Sequence, residues 1–346
     1  MCILARMKIE QNIALKSLLE NPQKTVIVPH KSPDGDAMGS CLGWKILLEK
    51  IGHTATVISP DHYPNFLKWI PGSDEVLIYE DSPEVAQKHL LEADSIFVLD
   101  FNSLKRIGDM GNFIGDCQAK KIIIDHHREP EDFADLLISY PEIGSTCELV
   151  YHLINSMGQS DLIDKNIATA LYVGILTDTG SFRFPSVTPT THKVVAHLIE
   201  CGAEHSEISN KIKDTASLGR LQLLGIALNN LHYIEDLRTA YITLSTEELN
   251  SCNYQKGDTE GFVNYGLSIQ GSVLAVIMIE NKQEGYVKMS FRSKGTFSVN
   301  DFARTHFNGG GHHNAAGGRS EKSLEETVEY LLEKLELCRG DLQVAY

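Results

Sequence analysis

In the first half of the chain, short β-branched runs alternate with stretches whose apolar residues recur at helical spacing. That is the pattern of a parallel sheet joined by crossover helices. The runs TVIVP (25–29), TATVIS (54–59), EVLIY (75–79), SIFVLD (95–100) and KKIIID (120–125) read as strands. A helix is expected over Asp36–Lys50, closed by Gly52 just past its end. A second covers STCELVYHLINSMG (145–158), with Ser145 as N-cap, and a third runs from Lys165 to Leu176.

After Pro189 the pattern changes. THKVVAHLIECG and SLGRLQLLGIALNNLHYI read as helices, and the polar SNKIKDTAS between them places a domain boundary near residues 209–217. The tail is strand-rich (TAYITLS, SVLAVIMIE, GYVKMSFRS), then glycine-rich (FNGGGHHNAAGG), and ends in the helix SLEETVEYLLEKLEL. The expected fold class is α/β: an N-terminal domain, residues 1–212, with a mainly parallel sheet flanked by helices. A linker helix, 213–235, leads to a smaller α+β domain, 236–346, across a cleft.

Length and composition agree with two globular domains: 346 residues exceed the ordinary limit of one core, and 42% are apolar. The longest apolar run, VLAVIMI (273–279), is far too short to span a membrane, and MCILARMKIEQ lacks the form of a signal peptide. A cytoplasmic protein is expected. Seven scattered cysteines without a C-x-x-C pair argue against a disulfide framework and against a cysteine zinc site. The net charge of −15 argues against general binding of long duplex nucleic acid. It leaves a short anionic substrate open, provided a divalent metal and a few arginines supply local positive charge.

The chemistry gathers at the strand ends. TVIVP runs into His30, Asp34 and Asp36; SIFVLD ends at Asp100; KKIIID ends at Asp125, followed by His126 and His127. In a parallel sheet these ends share one edge, where α/β proteins bind ligands. Asp178 closes a helix, a poor place for an anion unless a cation compensates. A lone strand-end aspartate is ordinarily a turn former, and a His-His pair alone says little. Their convergence is the signal, because clustered acids repel one another and resist desolvation unless divalent metal is bound. Oxygen-rich sites with one or two imidazoles suit manganese or magnesium, and paired metals are a device for hydrolysing phosphate esters. His53, His62, His89, His152, His192, His197, His205, His232 and His306 lack such company and read as surface or satisfied residues.

HKSPDGD, the aspartate of FVLDF, the literal DHH at 125–127 and the aspartate of LTDTG together resemble the four motifs of the DHH phosphoesterase superfamily. FNGGGHHNAAGG resembles the signature of its DHH-associated C-terminal domain. The likeness covers roughly residues 15–340 and is strongest to the NrnA-type members, bifunctional oligoribonucleases that also remove the 3′-phosphate of 3′-phosphoadenosine 5′-phosphate (pAp). Membrane-anchored cyclic-di-AMP phosphodiesterases, RecJ-like exonucleases and family II pyrophosphatases carry segments or motifs that differ from this chain's.

The resemblance implies two divalent ions, manganese first, with magnesium or cobalt as alternatives. His30 and Asp34 would hold one ion, Asp36 and His126 the other; Asp100 would bridge them and Asp178 complete the cluster. Asp100, His127 and Asp125 are the implied catalytic residues, His127 either orienting a ligand or donating a proton to the leaving oxygen. Bare backbone at Gly309, Gly310 and Gly311, with His312 and Arg292, is expected to grip a phosphate; Arg106 and Arg183 are further candidates for substrate contact. Expected substrates are RNA of about two to five nucleotides and pAp, with no membrane partner, and a homodimer is implied as well. Cyclic di-AMP or linear pApA is the nearest rival substrate, and polyphosphate a third. A catalytically silent nucleotide-binding module is the rival from another class.

Overall fold

The structure, a computed structural model, describes residues 9–214 and 216–345. The chain divides into two compact units, residues 1–215 and 216–346.

The first unit is built on six strands: β1 (Lys24–Val28), β2 (Thr54–Ser59), β3 (Leu77–Ile78), β4 (Ser95–Leu99), β5 (Lys120–Asp125) and β6 (Leu136–Ser139). Their order is β3-β2-β1-β4-β5-β6, and every neighbouring pair is parallel. The β-branched runs fill the middle because both faces are covered, so side chains alternate between two apolar clusters rather than between core and water. Ile27 faces one cluster and Val26 and Val28 the other.

Helix α1 (Ile9–Leu18) precedes the sheet, α2 (Gly35–Lys50) joins β1 to β2, and α3 (Pro83–Glu92) and α4 (Asp109–Asp116) flank β4. Helices α5 (Thr146–Ser156), α6 (Lys165–Asp178), α7 (Pro189–Glu200) and α8 (His205–Lys213) follow β6. Two expectations fail locally. EVLIY keeps only Leu77–Ile78 as strand, because Ser73–Glu75 coil into a 3₁₀ turn. The strand β6 was not foreseen; it is four residues long and lies at the sheet edge.

The second unit carries a mixed sheet of β7 (Leu231–Ile234), β8 (Thr239–Leu244), β9 (Leu274–Asn281), β10 (Tyr286–Ser293), β11 (Gly310–His312) and β12 (Ala315–Ser320). The order is β11-β12-β10-β9-β8-β7. The helical reading of 217–234 holds only for α9 (Leu218–Asn229), since LHYI pairs with β8 as an antiparallel strand. Thus the stretch expected as a linker helix contributes a helix and an edge strand to the second unit. Helices α10 (Thr246–Ser251) and α11 (Val263–Leu267) lie with α9 against part of one sheet face, around Leu223, Phe262 and Ile277. Helices α12 (Val299–His306), α13 (Leu324–Leu337) and α14 (Arg339–Val344) cover the other face, around Phe291, Phe302 and Leu331. No helix among the described residues is long and apolar enough to cross a membrane.

Candidate metal centre

The strand order reverses between β1 and β4, and ligands of such sheets bind at the carboxyl ends beside that reversal. His30 stands two residues past β1, Asp100 directly after β4, and Asp125 ends β5 with His126 and His127 next. Asp34 is the N-cap of α2; its Oδ1 accepts the N–H groups of Asp36 and Ala37 at 3.0 and 3.1 Å. Asp36, in the first turn, accepts the N–H of Thr146 on Oδ2 at 2.6 Å and that of Cys147 on Oδ1 at 2.9 Å. The amino end of α5 therefore holds this carboxylate. Asp178 is the last residue of α6, and α2 and α6 cross almost backbone to backbone. A Cβ at Gly39 would stand 2.4 Å from the Ala170 carbonyl, and one at Gly174 2.6 Å from Asp36 Oδ1. Glycine at these two positions lets the helices carrying Asp36 and Asp178 converge.

The side chains form two nests that share Asp100. His30 Nε2 lies 3.8 Å from Asp34 Oδ2 and 3.6 Å from Asp100 Oδ2. His126 Nε2 lies 3.8 Å from Asp36, 3.5 Å from Asp100 Oδ1 and 3.4 Å from Asp178. These separations are long for hydrogen bonds and suit donors arranged about an ion at roughly 2.1 Å. The second nitrogen of each ring meets a carbonyl: His30 Nδ1 donates to Lys31 O at 2.8 Å and His126 Nδ1 to Ile143 O at 3.1 Å. A carbonyl can only accept, so Nδ1 carries the proton and Nε2 is turned to the carboxylates, the arrangement of a metal-ligating histidine. The residues fit a divalent-metal centre. His127 Nδ1 lies 2.7 Å from Asp125 Oδ1 and 3.7 Å from Asp100 Oδ1.

Electrostatics tell the same story. Burial opposes the imidazolium of His30, yet the neighbouring carboxylates of Asp100 and Asp34 carry its pKa to about 10. His126 is likewise opposed by burial and raised well above its usual value by Asp100, Asp178 and Asp36. Burial and the charges of Asp100 and Asp178 push Asp36 well up. Asp100, though burial works against its charge, is held well down by His126 and His30. Without metal, protons on the imidazoles must balance the acids; a divalent ion displaces those protons. Burial also pushes up the thiols of Cys41 and Cys147, which disqualifies both as nucleophiles.

The backbone is strained where the motifs sit. Ser32, Asp100, Glu129, Ser181 and Phe182 are the described non-glycine residues of the first unit with positive φ, and each lies within four residues of a motif side chain. Two partners escaped the sequence reading. Thr146 Oγ1 donates to Asp100 Oδ1 at 2.9 Å. Asp61, buried in the loop after β2, accepts the Ser32 N–H at 2.6 Å and so fixes the turn between His30 and Asp34. The Ser-Thr pair opening STCELV was the only available signal for Thr146. The view of the remaining histidines fails at His152, 2% exposed, whose ring nitrogens have no hydrogen-bond partner among the described residues. Its Nε2 lies 3.6 Å from the equally buried Glu148.

Arg106 is half-buried beside the first nest, where its charge opposes that of His30 and its carbonyl accepts the Lys31 N–H at 2.8 Å. Arg183 is exposed in the turn after Asp178. In the second unit, Arg292 on β10 and His312 on β11 both stand opposite Ala315 of β12. Directly paired residues share a sheet face, so both side chains rise from the same face. The glycine run differs from expectation. A Cβ at Gly309 would stand 2.0 Å from the Gly317 carbonyl, and one at Gly311 2.5 Å from that of Ala315, so both glycines serve the close approach of β11 to β12. Their N–H groups are spent inside the fold, on Ala303 O at 3.2 Å and Asn300 Oδ1 at 2.8 Å. A backbone phosphate cradle at Gly309 and Gly311 is therefore not what the run provides.

Residues 24–175 match the model of the DHH family, N-terminal domain, and residues 240–339 that of the DHHA1 domain. The bifunctional oligoribonuclease and PAP phosphatase NrnA of Thermus thermophilus is 31% identical, over 91% of this chain and 90% of its own. The cyclic-di-AMP phosphodiesterase PdeA of Listeria monocytogenes is 25% identical, over 93% of this chain but 49% of its own. The crystal structure of an exopolyphosphatase-related protein from Bacteroides fragilis superposes with a TM-score of 0.93 at 40% identity, covering 97% of this chain and 98% of that one. With the motif side chains gathered at one sheet edge and both domain models matched in order, the chain belongs to the DHH family of phosphoesterases and carries its DHHA1 domain.

Proposed function

We propose that the chain is a two-metal phosphoesterase that releases 5′-mononucleotides from very short RNA and removes the 3′-phosphate of pAp. The observation that carries this reading is the position of Asp100, with Oδ2 toward His30 and Oδ1 toward His126, at 3.6 and 3.5 Å. One carboxylate thus serves both nests. His30 and Asp34 would hold one ion, Asp36, His126 and Asp178 the other, with Asp100 between them. Bound there, divalent ions supply charge to the phosphoryl oxygens and lower the pKa of water; manganese suits the mixed nitrogen and oxygen donors.

The chain's own groups do the rest. Asp36 is oriented by two backbone N–H groups and Asp100 by the Thr146 hydroxyl, so neither carboxylate must reorganise during the reaction. His127 is steadied through Nδ1 by Asp125, and as an imidazolium it would carry on Nε2 the proton that the leaving oxygen takes. Arg292 and His312, on one face of the second sheet, supply charge-assisted hydrogen bonds to a substrate phosphate.

The name of the 31%-identical relative favours short RNA and pAp. The second reading, cleavage of cyclic di-AMP or linear pApA, draws on the PdeA relative, and the exopolyphosphatase-related neighbour makes polyphosphate worth including. The deciding experiment mixes equal amounts of an RNA pentamer, pAp, cyclic di-AMP and polyphosphate with the protein and manganese, and follows products by mass spectrometry. Stepwise loss of single nucleotides together with consumption of pAp is the expected result. Prior consumption of cyclic di-AMP would replace the reading with the second.

A further inference from the structure

The open part of the second sheet is organised in three rows. On one face, Arg292, Ala315 and His312 stand opposite one another across β10, β12 and β11. The next row on that face is Ser290, Gly317 and Gly310, and the third is Lys288 opposite Arg319. The helices α9 to α11 pack over Ile242, Ala275 and Ile277 of β8 and β9, and α11 also reaches β10 at the Arg292 end, where Lys294 just past the strand donates to the Leu267 carbonyl. Lys288, Gly317 and Arg319 are exposed.

Two features of this face are not explained by folding. Like charges directly opposite on antiparallel strands destabilise a sheet, yet Lys288 pairs with Arg319. In a chain with 46 acidic residues, neither cation has a carboxylate of a described residue within ion-pair distance. The middle row is bare without steric need. A Cβ at Gly317 would meet nothing nearer than 3.9 Å, and one at Gly310 nothing nearer than 3.5 Å, the Nε of Arg304. This contrasts with Gly309 and Gly311, which the fold requires. Strand glycine that packing does not demand marks close approach by something else.

We propose that Lys288 and Arg319 form a second phosphate-binding position, reached across the bare strip of Ser290, Gly317 and Gly310, for the trailing backbone of an oligonucleotide whose first phosphate is held by Arg292 and His312. This rests on the functional reading above and adds to it a basis for length preference. Lys288 lies four residues from Arg292 along β10, about 13 Å, which an extended single strand covers in about two nucleotide steps. Neither of the rows beyond Arg292 and His312 offers an aromatic side chain for stacking, so the grip there falls on phosphates and is indifferent to sequence. pAp, whose phosphates both sit on one nucleoside, does not reach the second position.

The test compares kcat/KM for an RNA pentamer and for pAp in the full chain with manganese. In the Lys288→Ala/Arg319→Ala variant, two surface changes, the pentamer-to-pAp ratio falls about tenfold, mostly through KM. The slope of log KM against log salt for the pentamer falls by about 1.4, as expected for two lost single-strand phosphate contacts. Lys288→Arg/Arg319→Lys restores the ratio, and Gly317→Val lowers it by obstructing the strip. An unchanged ratio in the double alanine variant, or an equal loss on both substrates, overturns the inference even if Gly317→Val proves unstable. A wild-type chain that consumes neither substrate overturns the functional reading first, and this inference with it.

Discussion

The acids at the edge of the first sheet and the cations on the second meet opposite physical demands. Asp36, Asp100 and Asp125 are at most 2% exposed, and Asp36 and Asp100 are fixed by helix N–H groups, a threonine hydroxyl and imidazoles. Their burial makes charge expensive, so Asp36 and Asp100 are each tied to several neighbours and Asp125 to His127. Lys288 and Arg319 stand in water on two paired strands whose packing would tolerate other residues. Folding gains nothing from them. On the proposed reading, the difference teaches where each property is kept: the reaction in a crowded, interlocked set that resists change, the substrate range on a surface where single substitutions cost little stability.

The strongest challenge to this comparison is Asp100→Ala. If both nests depend on that carboxylate, turnover of pAp falls by roughly a thousandfold or more, and manganese binding followed by electron paramagnetic resonance loses its tighter component. Retained turnover would overturn the assignment of Asp100 as the shared ligand. A smaller but sharper test is Thr146→Val, which keeps the shape and removes the hydroxyl bonded to Asp100. Loss of a group that orients a ligand typically costs ten- to a hundredfold in metal affinity or activity, so about that loss is expected, with Thr146→Ser recovering most of it. A changed melting temperature with unchanged manganese affinity would reduce Thr146 to a packing residue.

The sequence carried the acids but not what holds them. His30, Asp34, Asp36, Asp100 and His126 are legible because strand ends of a parallel sheet must share an edge, and Asp178, at the end of a helix, through its place in the motif LTDTG. Thr146 and Asp61 are not, because their partners lie 46 and 29 positions away and only packing brings them together. LHYI reads as helix because a short apolar run fits either period, and only its pairing with β8 makes it a strand. The glycine run misled for a related reason. Which of its glycines the fold requires depends on the distance between β11 and β12, and the bare strip beside it emerges only from strand register.

On the second sheet, Arg292→Ala is expected to raise KM for the pentamer and for pAp about tenfold, with kcat lowered much less, since the loss is of binding rather than of charge at the reacting atoms. Steady-state kinetics separates the two. A fall in kcat matching that of kcat/KM would place Arg292 among the groups that act on the transition state, and the division of labour between the sheets would have to be redrawn.

The smallest effects compare two helix caps. Asp164 caps α6, the helix that ends in Asp178, and Ser298 caps α12, which carries Asn300 and Arg304. Either residue changed to alanine is expected to cost about 1 kcal/mol near neutral pH. They part in acid. Burial works to raise the Asp164 pKa, but the N–H of Ile167 and the charge and hydrogen bond of Lys50 hold it below its usual value. A depressed carboxylate stabilises fully above its unfolded pKa and loses that contribution as pH falls through the folded one. Urea unfolding should therefore show the Asp164→Ala deficit shrinking below about pH 4, while the Ser298→Ala deficit, from a hydroxyl with no charge to lose, stays constant. A deficit for Asp164→Ala as large in acid as at neutrality would mean that it caps α6 through geometry alone.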